Sequence, residues 1–326
     1  MKKKTAVIVA AVSLLVAAGL VAAWALGAFD APPPLSYAPK DADVIAYADL
    51  EKIFAHKVGA ALKAKITKEQ LDELKEKSGF TLDDLLNSEV FVFADSRNFD
   101  GKNLMAPDAI VKFNRGDNMP EKLLIELKKN GGDKIVSSGI DGKMAIRNDR
   151  GNTLIALNRT MMQISPGFSR GRPRCLTGGG ETELAKAVDT SALFSIAFRA
   201  SDETRRYFAG SPFAVLGDLL FAMANIRERG SDLELEIALT FSKPENAKAA
   251  QELLQGLIAA AANACQDADQ KRLLESIRIA VGHRKLTASL RESADNVVKL
   301  IGDLKEPTAP RAFVSMHPAA PTAPTK

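Results

Sequence analysis

The pattern of apolar and polar positions divides the chain into an apolar N-terminal run, two stretches of alternating strands and helices, and a polar tail. Residues 5–29 carry no charge and follow a cluster of three lysines, Lys2 to Lys4. As a helix this run would measure about 37 Å, against about 30 Å for the hydrocarbon core of a bilayer. It therefore predicts a transmembrane signal anchor over residues 1–29.

The lysine cluster also predicts where the rest of the chain lies. Positive charge holds the N-terminus in the cytoplasm, so the bulk of a single-pass inner-membrane protein would be periplasmic. Small residues at 21–25 fit a cleavage site as well, and the alternative is a signal peptide whose removal leaves a periplasmic protein. Residues 30–40 contain consecutive prolines and predict an extended spacer.

Residues 41–165 predict a first α+β unit. Asp49 is placed to cap one long amphipathic helix, because apolar residues recur at three- and four-residue steps over residues 50–66. Pro120 is placed at the first turn of another helix. The expected strands are 42–48, 89–94, 109–113, 134–136, 143–147, 153–157 and 161–164, and the expected helices are 50–66, 68–77 and 120–129.

A Gly- and Arg-rich linker at 166–184 precedes a second predicted α+β unit at 185–305. Residues 213–226 are apolar almost throughout, which predicts a helix, and residues 233–241 alternate like a strand. The remaining expected elements are strands at 193–198, 277–281 and 286–290 and helices at 244–264 and 294–304.

The two units share a marker that suggests duplication. Asp108 and Asp232 each open a strand, and Pro120 and Pro244 each follow twelve residues later at the start of a helix. The predicted fold class is therefore α+β: an N-terminal transmembrane helix and two related α+β units with largely antiparallel sheets. Residues 306–326 are rich in proline, alanine and threonine and predict a disordered tail.

The charge distribution excludes a nucleic-acid-binding domain. The net charge is +4, of which the N-terminal lysines contribute +3 and residues 306–326 contribute +1. Residues 5–305 therefore have no formal net charge, whereas a nucleic-acid-binding domain carries a basic footprint.

The cysteines and histidines are few. Cys175 and Cys265 are the two cysteines, and outside the cytoplasm they could form a disulfide or remain buried thiols. The three histidines, His56, His283 and His317, have no metal-binding spacing. The sequence predicts no metal site and no cofactor.

Two motifs in the linker have a chemical interpretation. Gly167 to Gly171 match the G-x-S-x-G pattern of a serine hydrolase, but the prolines and glycines that follow do not permit the helix that this motif requires. Arg170, Arg172 and Arg174 precede three glycines, and together they form a candidate anion site or a simple interdomain connection.

Two further features have structural and functional interpretations. The pairs Asp83-Asp84 and Asp202-Glu203 lie where helix starts favour negative charge, so capping explains them. The predicted helix at 213–226 fits a buried core helix, or a helix that lines a lipid-binding cavity.

The start of the exported part, residues 37–50 (YAPKDADVIAYADL), resembles the start of several uncharacterised, signal-anchored bacterial envelope protein families. In those families a proline-aspartate segment leads into a strand that ends in an aspartate-leucine pair, here Asp49-Leu50. The resemblance implies an exported α+β domain of unknown function and transfers no catalytic residues.

With no convincing nucleophile, metal or cofactor motif, the sequence favours a non-catalytic role. We expect a membrane-anchored periplasmic interaction or scaffold protein of the bacterial envelope, with another envelope protein as its partner and without nucleic acid. The alternative is a carrier of a lipid or other apolar ligand, and a hydrolase has less support.

Overall fold

Twelve strands form one antiparallel sheet in the described part of the chain. The computed structural model describes residues 34–72, 81–94, 108–114, 118–131, 136–140, 143–147, 153–165, 182–211 and 213–303. The strand order is β11-β12-β10-β9-β8-β1-β2-β3-β7-β6-β5-β4. The chain is therefore α+β with a large antiparallel sheet. The predicted anchor, the residues of the linker that carry its motifs and the predicted tail lie outside the described residues.

The strands are β1 (Val44–Asp49), β2 (Ser88–Ala94), β3 (Asp108–Phe113), β4 (Val136–Ile140), β5 (Lys143–Arg147), β6 (Thr153–Ala156), β7 (Met161–Ser165), β8 (Phe194–Arg199), β9 (Leu219–Arg229), β10 (Asp232–Phe241), β11 (Arg278–Val281) and β12 (Lys285–Ser293). The labelled helices are α1 (Leu50–Ala55), α2 (Lys57–Lys63), α3 (Leu82–Leu85), α4 (Met119–Gly131), α5 (Glu183–Ala187), α6 (Asp202–Ala209), α7 (Pro244–Ala264), α8 (Ala268–Glu275) and α9 (Ala294–Asp303). Residues 68–72 are also helical.

The sheet is continuous between the first half (residues 34–165) and the second half (residues 182–303), because β1 pairs with β8 at its centre. Outward from β1 the order is β2, β3, β7, β6, β5 and β4, and outward from β8 it is β9, β10, β12 and β11. In each half, then, the first strand is followed by a pair of antiparallel strands, and the last strand of the half returns beside that pair. The first half has two more strands than the second.

The described residues contain two hydrophobic clusters, and the larger one extends across the junction to Phe194 and Ala197 of β8. The larger one is built on the first half, where Tyr47, Phe91 and Ile110 lie almost completely buried on adjacent strands. The smaller one includes Phe241 and Leu286, which pack with Ala247 of α7. Since α7 contacts β10, β11 and β12, it covers the face of the second-half sheet that carries Leu286.

Most predicted elements agree with the structure. The helix predicted at 244–264 is α7, and Pro244 is its first residue. The strand predicted at 89–94 is β2, which is buried on both faces as expected. Asp49 caps α1 by accepting a hydrogen bond from the backbone N–H of Lys52 at 2.9 Å.

The helix predicted at 213–226 is wrong. Residues Ala214–Asp218 form a 3₁₀ turn, and β9 begins at Leu219. Strand β9 lies inside the sheet between β8 and β10. Its N-terminal two-thirds is at least partly buried on both faces, so it lacks the apolar-polar alternation that marks a strand with one exposed face.

The single helix predicted over residues 50–66 is also wrong. In the structure this stretch forms two helices, α1 and α2, separated by His56 in an extended conformation with ψ of 146°. The His56 side chain accepts a hydrogen bond from the backbone N–H of Val58 at 3.2 Å and so caps α2. The apolar spacing continues through this break, which is why it predicted one helix. Helix α8 was not predicted, and α6 was anticipated only as a helix start at Asp202-Glu203.

Candidate functional site

A network of polar side chains lies where the two halves of the sheet meet. One row of paired residues crosses the sheet there: Phe91 of β2, Tyr47 of β1, Ser195 of β8, Asn225 of β9 and Glu236 of β10. Paired residues point to the same face of a sheet. This face is thus aromatic in the first half and polar in the second. We call its second-half part the polar face; it is opposite the face that α7 covers.

Ser195 and Asn225 form the buried end of the polar face, and both are fully buried. The backbone N–H of Asp189 donates to Ser195 Oγ at 3.0 Å, and the Asn225 side-chain amide lies 2.7 Å from the same oxygen. The amide orientation that satisfies both of its polar atoms has nitrogen donating to Ser195 and oxygen accepting from Arg227 Nη2 at 3.1 Å. A continuous network therefore connects β8, β9 and the segment before β8.

Arg227 is the centre of this network. Its Nε donates to Asp189 at 2.7 Å and its Nη1 donates to Glu236 at 2.9 Å, while its side chain is only 23% exposed. Burial alone would raise the pKa of Asp189, but hydrogen bonds from Ser191 and Arg227 outweigh that effect and hold the pKa below its usual value. Burial would lower the pKa of Arg227, and its two carboxylate partners raise it overall.

Further ion pairs continue this pattern toward the β9–β10 turn. Arg229 donates to Glu234 at 2.9 Å, and Arg291 of β12 donates to Asp232 at 2.8 Å. Arg229 is 55% exposed and Arg291 is 59% exposed. We call the resulting set the charge ladder; its members are Arg227, Arg229, Asp232, Glu234, Glu236 and Arg291.

Charged groups also surround Tyr47 on the first-half side of the junction. Burial is the main reason that the pKa of the Tyr47 phenol is strongly raised, and the nearby carboxylates of Asp49, Glu89 and Asp189 raise it further. Asp49 forms an ion pair with Lys52 at 2.7 Å. The phenol therefore remains neutral and acts as a hydrogen-bonding group rather than as an acid.

The residues predicted from the sequence lie elsewhere. Cys265 follows the last residue of α7, partly exposed. Its predicted partner Cys175 and the predicted anion site at Arg170, Arg172 and Arg174 lie outside the described residues, as does the G-x-S-x-G motif. The disulfide and the anion site remain predictions.

One of the two carboxylate pairs has the predicted capping role. Asp84 completes a capping box with Thr81 at the start of α3: its Oδ2 accepts from Thr81 N at 2.7 Å, and Asp84 N donates to Thr81 Oγ1 at 3.2 Å. Asp202 is the first residue of α6, where Ser201 is the cap and Arg205 pairs with the Asp202 carboxylate. These groups stabilise helix starts.

The junction network does not activate the Ser195 hydroxyl. Ser195 is fully buried, and its two partners, an amide and a backbone N–H, are not bases that could activate a hydroxyl. Among the described residues no group of three or more histidine, cysteine or carboxylate side chains is placed to hold a metal ion. Within the same residues no helix is both long and apolar enough to cross a bilayer.

Two of the six members of the charge ladder were visible in the sequence. The alternation of residues 233–241 puts the acidic residues Glu234 and Glu236 on one face of a strand. Their partners Arg227 and Arg229 belong to β9, and the helix predicted at 213–226 hid that strand. The Arg229-Gly230-Ser231-Asp232 sequence was the available signal, because glycine in a two-residue loop is typical of a β-hairpin.

Comparisons with known proteins give a similarity of fold. No protein-family model matches the chain, and no curated protein matches it. Among solved structures, crystal form III of TP0453 is 12% identical with a TM-score of 0.47, over 84% of this chain and 99% of that chain. Crystal form I is 12% identical with a TM-score of 0.47, over 83% of this chain and 97% of that chain. Crystal form IV is 11% identical with a TM-score of 0.48, over 82% of this chain and 96% of that chain. The chain is similar to TP0453 at this level of sequence identity and structural overlap.

Proposed function

We propose that this protein is a non-catalytic interaction module of the bacterial envelope, held at the inner membrane by residues 1–29. Its polar face docks another envelope protein. The observation that carries this proposal is the exposed charge ladder, in which Arg229 and Arg291 remain more than half exposed although each is held by a carboxylate.

The composition of the ladder favours a protein as the partner. It has three arginines and three carboxylates, so it has no net charge and presents alternating signs at short spacing. A nucleic acid or an anionic membrane surface would select a basic patch instead. A protein surface can present the complementary alternation, and such patterns contribute specificity and orientation.

The exposed ion pairs of the charge ladder are weak enough to be replaced by ion pairs with a partner protein. Ion pairs between exposed side chains contribute about 0–1 kcal/mol each. Arg229 and Arg291 can therefore leave Glu234 and Asp232 for groups on a partner at little cost to the fold. Arg227 is less exposed and has two carboxylate partners, so it keeps the ladder in place.

Photocrosslinking in intact cells tests the proposal. A photoreactive residue at Ser289, which is paired with Glu236 on the polar face, should give a discrete crosslinked protein. The same residue at Lys248 of α7, on the opposite side of the sheet, is the control and should not give it. Equal products from both positions, or none from Ser289, would contradict a docking role for the polar face.

A charge-swapped variant sharpens this test. Arg229→Glu combined with Glu234→Arg preserves an internal ion pair but inverts two positions of the ladder. We expect loss of the Ser289 crosslink, because the partner recognises the order of charges. The melting temperature should fall modestly, because the new glutamate is paired with Asp232 and the new arginine with Arg227 and Arg291. Retention of the crosslink would show that the ladder is not what the partner recognises.

The topology is tested separately. The uncharged run behind three lysines supports an uncleaved anchor, with the polar face in the periplasm. Cell fractionation with N-terminal sequencing should find the intact N-terminus in the inner membrane. A mature chain that begins near Trp24 and is released into the periplasm would replace the anchor with a cleaved signal peptide.

We also infer that the two halves arose by duplication. Both the shared strand order outward from β1 and β8 and the prolines near the starts of α4 and α7 support this inference. The carrier of an apolar ligand has lost its basis, since the helix at 213–226 that was expected to line its cavity is a turn and a strand.

A further inference from the structure

An exposed, uncharged segment lies at the end of the sheet where β1 begins. Residues 207–217 run from the last turn of α6 into the 3₁₀ turn Ala214–Asp218 and contain no charged side chain. Among the described residues, both exposed aromatic side chains belong to this segment: Tyr207 is 76% exposed and Phe213 is 42% exposed. We call residues 207–217 the aromatic segment. Exposed apolar groups of this size mark a contact surface.

The aromatic segment is held in place by its own hydrogen bonds and packing. Ser211 Oγ donates to the carbonyl oxygen of Phe208 at 2.8 Å and accepts from the backbone N–H of Phe213 at 3.1 Å. The Tyr207 ring packs edge to face on Phe208, with 5.8 Å between the ring centroids. Leu216 packs against the smaller hydrophobic cluster. The segment is therefore fixed to the sheet while its two aromatic side chains remain exposed.

The strand register places the aromatic segment beside the point where the chain enters the sheet. β1 and β8 are antiparallel, and Val44, the first residue of β1, pairs with Phe198 near the end of β8. Helix α6 follows β8 directly and begins at Asp202. Arg199 Nη2 donates to the carbonyl oxygen of Ala42 at 3.3 Å, which joins the start of this connection to the residues that lead into β1. We call this end of the sheet the basal end.

The chain that precedes the described residues limits how far the basal end can lie from a membrane. Residues 30–33 alone separate the predicted anchor, residues 1–29, from Pro34. Five residue steps span at most about 18 Å. Two turns within residues 35–42, each closed by a backbone hydrogen bond, then shorten the path to β1. If residues 1–29 span the bilayer, the basal end is therefore the part of the fold that lies closest to it.

We propose that the aromatic segment contacts the membrane interface, with Tyr207 and Phe213 among the lipid headgroups. This inference rests on the proposed function, because it requires the anchor. Tyrosine favours the interface since its ring is apolar while its hydroxyl can stay hydrated, and Phe213 adds apolar area. Two side chains bind lipid weakly on their own, but the short tether keeps them at a high effective concentration beside it.

The charges at the basal end do not oppose this contact. Arg206 and Lys243 are exposed there, and so are Asp202 and Glu245. Because both signs are present, neither attraction to anionic lipids nor repulsion from them dominates, and burial of the aromatic side chains determines the contact. A protein could also cover the aromatic segment, but the length of the tether favours the membrane.

The contact also determines which way the charge ladder faces. β9 begins at Leu219 at the basal end and finishes at Arg229. At about 3.3 Å per residue, these two residues lie about 33 Å apart along the strand. The β9–β10 turn and the exposed arginines beside it are therefore at the end of the sheet away from the membrane. A partner in the periplasm can reach them there without competing with lipid.

Tryptophan fluorescence tests the proposal in the full-length protein, reconstituted in vesicles of phosphatidylethanolamine and phosphatidylglycerol. The one native tryptophan lies in the predicted anchor and is removed by Trp24→Phe. Tyr207→Trp in this background reports on the aromatic segment, and lipids brominated near the headgroup quench a tryptophan that lies in the interface. We expect strong quenching of Tyr207→Trp.

Leu257→Trp is the matched control. Leu257 is also an exposed apolar residue, with 48% of its surface accessible. It lies on α7, which begins at Pro244 at the basal end and, with α8, leads to the start of β11 at the opposite end. Thirteen helical residues place Leu257 about 20 Å further along. We expect no quenching of Leu257→Trp.

Four results would overturn the proposal. Equal quenching at both positions would show that the fold has no preferred contact with lipid. Absence of quenching of Tyr207→Trp in protein that floats with the vesicles would exclude the contact but leave the anchor in place. Protein that does not float would overturn the anchor together with the contact. A photoreactive residue at position 207 that crosslinks to a protein rather than to lipid in intact cells would assign the aromatic segment to a protein partner.

A second variant shows whether Tyr207 itself carries the contact. Phe213→Trp serves as the reporter, and Tyr207→Asp is added to it. We expect its quenching to fall at least about twofold, because a carboxylate resists transfer out of water. Tyr207 is largely exposed, so the melting temperature in detergent should not change. Tyr207→Phe should retain the quenching, and unchanged quenching in the Tyr207→Asp variant would refute the role of this side chain.

Discussion

Arg227 binds the carboxylate of Asp189 at 2.7 Å and thereby ties the segment before β8 to the face of β9. It also binds Glu236 of β10 at 2.9 Å. We expect Arg227→Ala to lower the free energy of unfolding by about 2–3 kcal/mol, because it leaves two partly buried carboxylates without their cation. Urea denaturation at pH 7 measures this change.

Arg229→Ala is the control for Arg227→Ala. Arg229 also pairs with a carboxylate of β10, but it is 55% exposed and has Glu234 as its acidic partner. Its loss should change the free energy of unfolding by less than about 1 kcal/mol. Equal losses of unfolding free energy in the two variants would show that the ion pairs of Arg227 contribute no more than ordinary surface ion pairs.

Asp189 should make the stability of the protein sensitive to acid. Its pKa is held below the usual value by the bonds from Ser191 and Arg227, which outweigh burial. Such a group stabilises the fold above its unfolded pKa of about 3.9, and this contribution is lost as the pH falls through the lower folded pKa.

The variant Asp189→Asn isolates this effect. It should be about 1–2 kcal/mol less stable than the wild type at pH 7, and the difference should shrink as the pH falls below about 4. Urea denaturation at a series of pH values measures it. A difference that stays constant from pH 7 to pH 3 would contradict the role given to the carboxylate.

The residues of the sheet interior explain which parts of the fold the sequence could predict. β10 alternates because one face carries Glu234 and Glu236 and the other carries leucines, so period-two spacing predicts it correctly. β9 is at least partly buried on both faces over most of its length. Its sequence is therefore a long apolar run without period-two alternation, and such a run resembles a helix. Gly230, with φ of +69°, was the local signal for the hairpin that joins the two strands.

The junction between the halves could not be predicted from local patterns. Tyr47 and Ser195 are neighbours across β1 and β8 although about 150 residues separate them in the chain. Neither residue has a neighbour in sequence that indicates this pairing. The network around Arg227 depends on the same long-range contact, so the chemistry of its individual residues in the sequence did not predict the network.

Gly59 is required where α2 packs against the end of α1. A Cβ atom at this position would lie 1.9 Å from the carbonyl oxygen of Ile53 and 2.8 Å from the Cα atom of Phe54. Both atoms belong to the backbone and cannot move independently. Gly59→Ala should therefore destabilise the protein by about 2–3 kcal/mol, as measured by thermal or urea denaturation.

Gly256→Ala is the matched control in another helix. Gly256 lies inside α7, and a Cβ atom there would have no heavy atom within 4 Å. Because alanine restricts the unfolded chain and favours helix, this variant should stabilise the protein by about 0.5–1 kcal/mol. If both variants stabilise the protein, helix propensity rather than the close contact at Gly59 determines the outcome.

Cleavage of the linker should leave the two halves associated. Arg170, Arg172 and Arg174 lie among glycines and prolines between the halves, and we expect limited trypsin digestion to cut there first. The halves share the β1–β8 ladder, in which Arg199 N–H also donates to the Asp43 carbonyl at 2.7 Å. Helix α9 contacts α2, where Lys57 pairs with Asp295 at 2.7 Å.

These contacts predict that the nicked protein elutes as one species in native gel filtration and separates into two fragments in denaturant. A cut after Arg170, Arg172 or Arg174 leaves Cys175 and Cys265 in the same fragment, so a disulfide between them would not hold the two fragments together. If the fragments separate without denaturant, the β1–β8 pairing is too weak to make the sheet one cooperative unit. First cleavage inside either half would instead contradict the position of the linker.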